Sequence, residues 1–286
     1  MLYCAHIQNG LIAYAKCLLS EKSRRMYLFV FQIIKDMMRH LEINEELAWT
    51  QTMSDFETGL LPAITEAFPQ VDKRCCHFHF CQAIFRKLCG LGLKAEYVEA
   101  GFKYFQTFVR CVFALSFLPI ERIEGAFREL VHELELSYIQ RNMPQRMIEF
   151  ITYLLRVWIG ENSRFPKQMW NVADLQDMRT NNLVEGWHRF ASEHFGNGKN
   201  LWKFLSKLSA VELQTRAAIA LVRGGEQVRN RKRSQERKER SLKRMKENYD
   251  LGNVYNGDVD YLIQLSQLQP NFDADNDGAE EVDENE

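Results

Sequence analysis

No stretch of about 18 uninterrupted apolar residues occurs in this chain, so a membrane-spanning helix is not expected. A basic leader is also missing. The opening MLYCAHIQNG has no positively charged start, and its apolar run is broken by His6, Gln8, Asn9 and Lys16, which argues against a signal peptide. Cysteine is absent beyond Cys111. The seven that occur, at positions 4, 17, 75, 76, 81, 89 and 111, are odd in number and too sparse to staple 286 residues, so a reducing, intracellular compartment is expected. No repeat of roughly 20 to 50 residues is visible, which excludes solenoid and propeller architectures.

What is present is an apolar fraction of 46%, enough for a real core in one large domain or two modest ones. The formal charge of -1 conceals two opposed blocks. Arg223 to Lys246 holds eleven Lys and Arg against three Glu, a net of +8, while Asn271 to Glu286 holds eight acids and no base. Each block has to be interpreted separately.

Two short apolar segments, LYCAHI and LIAYAKCLL, flank Gln8-Asn9-Gly10, and Asn-Gly at that place signals an antiparallel hairpin. Ser20-Glu21 is expected to open a helix with Met26, Val30, Ile33, Ile34, Met37 and Leu41 on its apolar stripe. Leu47 to Met53 suggests a strand running into Ser54-Asp55, followed by a helix with Leu60, Leu61 and Ile64. Val71 to Phe80 reads as a further strand, with a short helix from Gln82 to Leu88. From Lys94 to about Met178 only helical patterns remain, with one stripe of Ile123, Ala126, Phe127, Leu130 and Leu134. A second stripe holds Met147, Ile148, Ile151, Leu154, Leu155 and Trp158. Asn182 begins a helix with Leu183, Trp187, Phe190 and His194 on one face, and a longer helix covers Leu201 to Val222.

Asp55, between a strand and a helix, is either an N-cap or a metal-binding carboxylate at the carboxyl end of a strand. Glu185, three residues after Asn182, fits the third position of a capping box equally well. Cys76 and His79 form a C-x-x-H pair beside Cys75 and His77, but no second pair at finger-like spacing completes a zinc site, and buried Cys with hydrogen-bonded His is the plainer reading.

Taken together, these residues resemble a known family. Ser54-Asp55-Phe56-Glu57, the run Cys76-His77-Phe78-His79-Phe80-Cys81-Gln82-Ala83-Ile84, and Thr180-Asn181-Asn182-Leu183-Val184-Glu185-Gly186-Trp187-His188 are similar, in order and spacing, to the transposase domain of Mutator-like elements (MULE). The resemblance implies an α/β, ribonuclease H-like mixed sheet with a large all-helical insertion, and DDE-type cleavage and strand transfer of DNA. In that chemistry three carboxylates hold two Mg²⁺ or Mn²⁺ ions about 4 Å apart. Asp55 matches the second acid and Glu185 the third. Cys76, His79, Asn181, Asn182, Trp187 and His188 match motif positions that shape the site. The first acid belongs to a strand that would precede the hairpin, and counting back from Asp55 passes Met1. Asp36 lies within an expected helix and cannot replace it. The sheet is thus expected to be incomplete, the chain inactive alone, and its bare edge near residues 3 to 8 prone to association between copies.

These readings divide the chain into a partial ribonuclease H-like core (1–93), a helical insertion (94–178), returning core helices (179–222), a basic segment (223–250), a short helix (251–270) and an acidic disordered tail (271–286). Arg229, Arg231, Lys232 and Arg233 are candidates for phosphate contacts and nuclear import, without aromatic neighbours for base readout. Asp273 to Glu284 imitates a calcium loop, but no helix follows it. The expected partner is DNA, the compartment nuclear, and no membrane is involved. The alternative is a host-retained DNA-binding or chromatin-associated protein that uses the transposase fold as a scaffold.

Overall fold

The computed structural model describes residues 2–7, 10–17, 19–42, 50–140, 142–175, 201–225, 233–252 and 254–272. The chain opens with the expected antiparallel hairpin, of β1 (Leu2–Ile7) and β2 (Gly10–Lys16), although Ile7 pairs with Gly10, so that Gly10 belongs to the strand and not to the turn an Asn-Gly pair would make. Helix α1 (Arg24–His40) starts later than Ser20-Glu21 suggests. Ser23 is its N-cap, its Oγ accepting from the Met26 amide at 3.3 Å. Tyr27, Val30, Phe31 and Met38 are buried, whereas Ile33, Met37 and Leu41 of the expected stripe are exposed.

β3 (Gln51–Ser54) and β4 (Asp72–Cys75) form a parallel pair, with α2 (Leu60–Ala67) in the crossover. Tyr27 and Phe31 of α1 pack with Ala63, Ile64, Phe68 and Val71 into a small core. The mixed sheet expected from the sequence is, among the described residues, two separate two-stranded sheets. The strand expected to reach Phe80 ends at Cys75, and α3 (His77–Gly90) begins there instead. Its cause is visible in the packing: Phe80, Ile84 and Leu88, with Cys81 and Phe85 beside them, fall on one helical face and are buried.

The remainder is helical: α4 (Lys94–Val98), α5 (Lys103–Ala114), α6 (Ile120–Ser137), α7 (Gln145–Leu154), α8 (Lys167–Trp170), α9 (Leu201–Arg223), α10 (Arg233–Asp250) and α11 (Asp258–Ser266). The α6 stripe is buried throughout. In the α7 stripe Ile148 and Leu155 are exposed while Phe150 is buried. The helix ends in a π-helical turn, Leu155–Ile159, that brings Val157, Trp158 and Ile159 inward together. One continuous core runs from Phe56 to Phe272 and includes Tyr261, Leu262 and Leu265 of α11. No helix among the described residues is long and apolar enough to cross a membrane.

Candidate active site at the ends of the parallel strands

Register places the chemistry. Ser54 pairs with Cys75 at the carboxyl end of the parallel strands, and the Cys76 amide donates to the Ser54 carbonyl at 2.8 Å. Asp55 and Cys76 therefore leave the sheet side by side, at the end where open α/β sheets hold their ligands. Asp55 is not a helix cap, since Gly59 stands at that position of α2. His79, on the first turn of α3, brings Nδ1 to 3.0 Å from Asp55 Oδ1. Burial alone would lower the pKa of this imidazole. The Asp55 carboxylate 3.0 Å away and the neighbouring Cys76 outweigh burial and hold it up at about 10, so His79 is an imidazolium at neutral pH.

Phe56 anchors the Asp55 loop. Its ring sits edge-on to Trp158 and Phe165, each at 5.0 Å, and Phe80 stacks on Trp170 at 4.7 Å while meeting Trp158 edge-on. An aromatic cluster made largely by the helical region thus fixes both Asp55 and the start of α3.

The neighbouring residues have other roles. Cys75 and Cys76 are fully buried, and burial pushes the Cys75 thiol up to about 12. His77 points away from Asp55 into the core, where Ser116 Oγ lies 3.0 Å from Nδ1 and Gln269 Oε1 lies 2.8 Å from Nε2. Gln269 Nε2 donates to the Leu265 carbonyl at 3.1 Å, which orients the amide with its oxygen toward His77. His77 Nε2–H is accordingly the donor to Gln269, and the Ser116 hydroxyl, which donates to the Phe113 carbonyl at 3.2 Å, lies beside Nδ1.

Arg74 on β4 ties the strand to the chain that leads toward Glu185. Its guanidinium grips Asp174 at 2.7 and 3.1 Å and donates to the Asn171 carbonyl at 2.9 Å, while Nε meets Asp72 at 2.8 Å. Asn171 Nδ2 donates to the Leu118 carbonyl at 2.7 Å, and Lys246 of α10 donates to the Ala173 carbonyl. Glu185, Asn181, Asn182, Trp187 and His188 lie outside the described residues, as do Arg229, Arg231 and Lys232. Arg233 begins α10. Among the described residues no three His, Cys, Asp or Glu side chains are grouped to hold a metal ion.

Comparison with protein families finds a likeness over one stretch of the chain. Residues 2–83 match the family model of the MULE transposase domain. That MULE stretch contains the hairpin, Asp55, Cys76 and His79, and it ends inside α3. No curated protein and no solved structure matches the chain.

The sequence did not point to Arg74, His77's partners or the aromatic cluster. Trp158 and Trp170 were the available signal, because two tryptophans in one helical segment need a large buried surface somewhere.

Proposed function

We propose that this chain acts on DNA as part of a MULE-type DDE transposase domain of ribonuclease H-like descent, working in the nucleus. The observation that supports it most is the placement of Asp55 at the carboxyl end of the β3–β4 pair, against His79, inside the stretch that matches the family. A half-exposed carboxylate suits a hard cation that prefers oxygen ligands. Asp55 and Glu185 would hold Mg²⁺ or Mn²⁺, which when bound activates the attacking water and stabilises the leaving oxygen. This chain's own contribution is to fix Asp55 through Phe56, to keep a positive imidazolium beside it, and to hold Asp174 against β4 through the Arg74 fork.

Two carboxylates are fewer than this chemistry needs, and the 286-residue polypeptide is proposed to bind DNA without cutting it. The test is direct. With Mg²⁺ or Mn²⁺ it should neither nick nor join duplex DNA, yet it should bind unrelated duplexes with strong salt dependence. Changing Arg229, Arg231, Lys232 and Arg233 together to Ala should weaken binding equally on all sequences and flatten the salt slope. Cleavage that disappears on Asp55→Ala would refute the inactivity, and absent DNA affinity would refute the partner.

A further inference from the structure

Helix α10 is docked, not splayed into solvent. Leu242 is buried, Met245 and Tyr249 pack on the main core, and Tyr249 stacks on Tyr261 of α11 at 4.2 Å. Tyr249 Oη donates to Asp258 Oδ1 at 2.7 Å and accepts from Arg122 at 2.9 Å. Two lysines flank this seam. Lys246 donates to the Ala173 carbonyl, beside the Asp174 that Arg74 grips, and Lys238 lies within the charge field of Cys81 on α3. Both anchoring points belong to chain that leaves or braces the carboxyl end of β4, the end at which Asp55 meets His79.

With the seam facing inward, the helical period puts Arg237, Arg240 and Arg244 on an arc of about 60° opposite Leu242. All three are exposed. Arg240 Nε donates to the Glu236 carbonyl at 3.3 Å, which steadies that guanidinium against its own helix. Glu236 and Glu247 border the arc, 4.0 Å from Arg240 and Lys243 respectively. Like charges three and four positions apart repel along a helix, and a polyanion laid along the row relieves that repulsion. We propose that Arg237, Arg240 and Arg244 form a track for the phosphate backbone of duplex DNA, held rigid from behind and separate from the Arg229, Arg231, Lys232 and Arg233 group. The track rests on the DNA reading above and adds to it the surface along which the duplex lies. Its spacing fits. From Arg237 to Arg244 the helix rises about 10.5 Å, and one DNA strand presents a phosphate about every 3.4 Å of axis, so three arginines meet about three successive phosphates when the backbone follows the helix. Such contacts position a duplex without reading its sequence.

Salt titrations of the full chain on two unrelated duplexes, followed by fluorescence anisotropy between roughly 20 and 200 mM salt, test the track. Changing Arg237, Arg240 and Arg244 together to Gln should lower the slope of log affinity against log salt by about 2 to 3, since each lost phosphate contact removes about 0.9. Affinity near roughly 100 mM salt should fall about a hundredfold, on both duplexes alike. Changing the same three to Lys should preserve the slope, because a phosphate is bound by a point charge as well. A control removes equal charge elsewhere: Arg25, Lys103 and Arg156, all exposed, changed together to Gln should lower the slope by less than about 1. Equal falls in the two Gln variants would make net charge responsible and overturn the track. An unchanged slope in the row variant, with the parent still binding, would also overturn it and leave the DNA reading intact. Loss confined to one sequence would contradict backbone contact, and tighter binding of an RNA duplex of the same sequence would overturn the choice of DNA. A parent without affinity at roughly 20 mM salt would refute the DNA reading and the track together.

Discussion

Replacing Asp55 by Asn isolates the Asp55–His79 pair. An ordinary imidazole titrates near 6.5 and His79 at about 10, a separation that sets a ceiling of about 5 kcal/mol on the net pH-dependent stabilisation left after burial is offset. Asp55 keeps 44% of its side-chain surface open to water, which screens the pair, and about 2 kcal/mol is the expected contribution. Because the folded pKa is raised, that stability is fully present below pH about 6.5 and is lost as pH rises through about 10. Urea unfolding with chelator present, followed by tryptophan fluorescence from pH 6 to 10.5, measures it. The difference between parent and Asp55→Asn should be about 2 kcal/mol at pH 6 and close to zero above pH 10. Taking the difference cancels the lysines and tyrosines that titrate in both proteins. His79→Gln should lose the same pH-dependent increment. A difference that stays constant from pH 6 to 10 would refute the imidazolium assignment.

Phe56→Ala should cost about 3 to 4 kcal/mol by emptying its place between Trp158 and Phe165, whereas Phe56→Leu should cost under about 1.5; equal losses in urea titration would mean that the cluster does not anchor the Asp55 loop. Gln269→Leu should destabilise by about 2 kcal/mol because it strands the buried His77 Nε2–H. His77→Phe combined with Gln269→Leu should then lose less than the sum of the single changes, and strict additivity would deny the hydrogen bond. Leu242→Ala should cost about 2 kcal/mol or more in thermal unfolding. No change there would make α10 the solvated helix its composition suggests.

The sequence was most readable where local chemistry agreed with packing. Asn9-Gly10 marked the hairpin, and the α6 stripe was buried at every position. Asp55 was located at a strand end, which is where it lies. Apolar periodicity misled in α1, because Phe29, Ile33 and Met37 are spaced as regularly as Tyr27, Phe31 and Met38 are, and only the packing of Tyr27 and Phe31 on Ala63, Ile64 and Phe68 decides which row faces in. His77 to Phe80 resembled a strand because aromatic residues favour one. Its helical signal, Phe80-Ile84-Leu88, extended past the window that suggested a strand. The role of Gln269 had no local signature at all, since a glutamine between polar neighbours looks exposed until His77, distant in sequence, supplies its partner.

The bond between His77 and Gln269 spans 192 residues, and this has a consequence for biosynthesis. At a translation rate of 5 to 20 residues per second, roughly 10 to 40 seconds separate the two residues as the chain is made. Throughout that interval His77 lacks its Gln269 partner, and the apolar face of Phe78, Phe85 and Phe113 lacks the Phe272 ring. The early part of the chain thus waits, sticky and incomplete, for the late part to arrive.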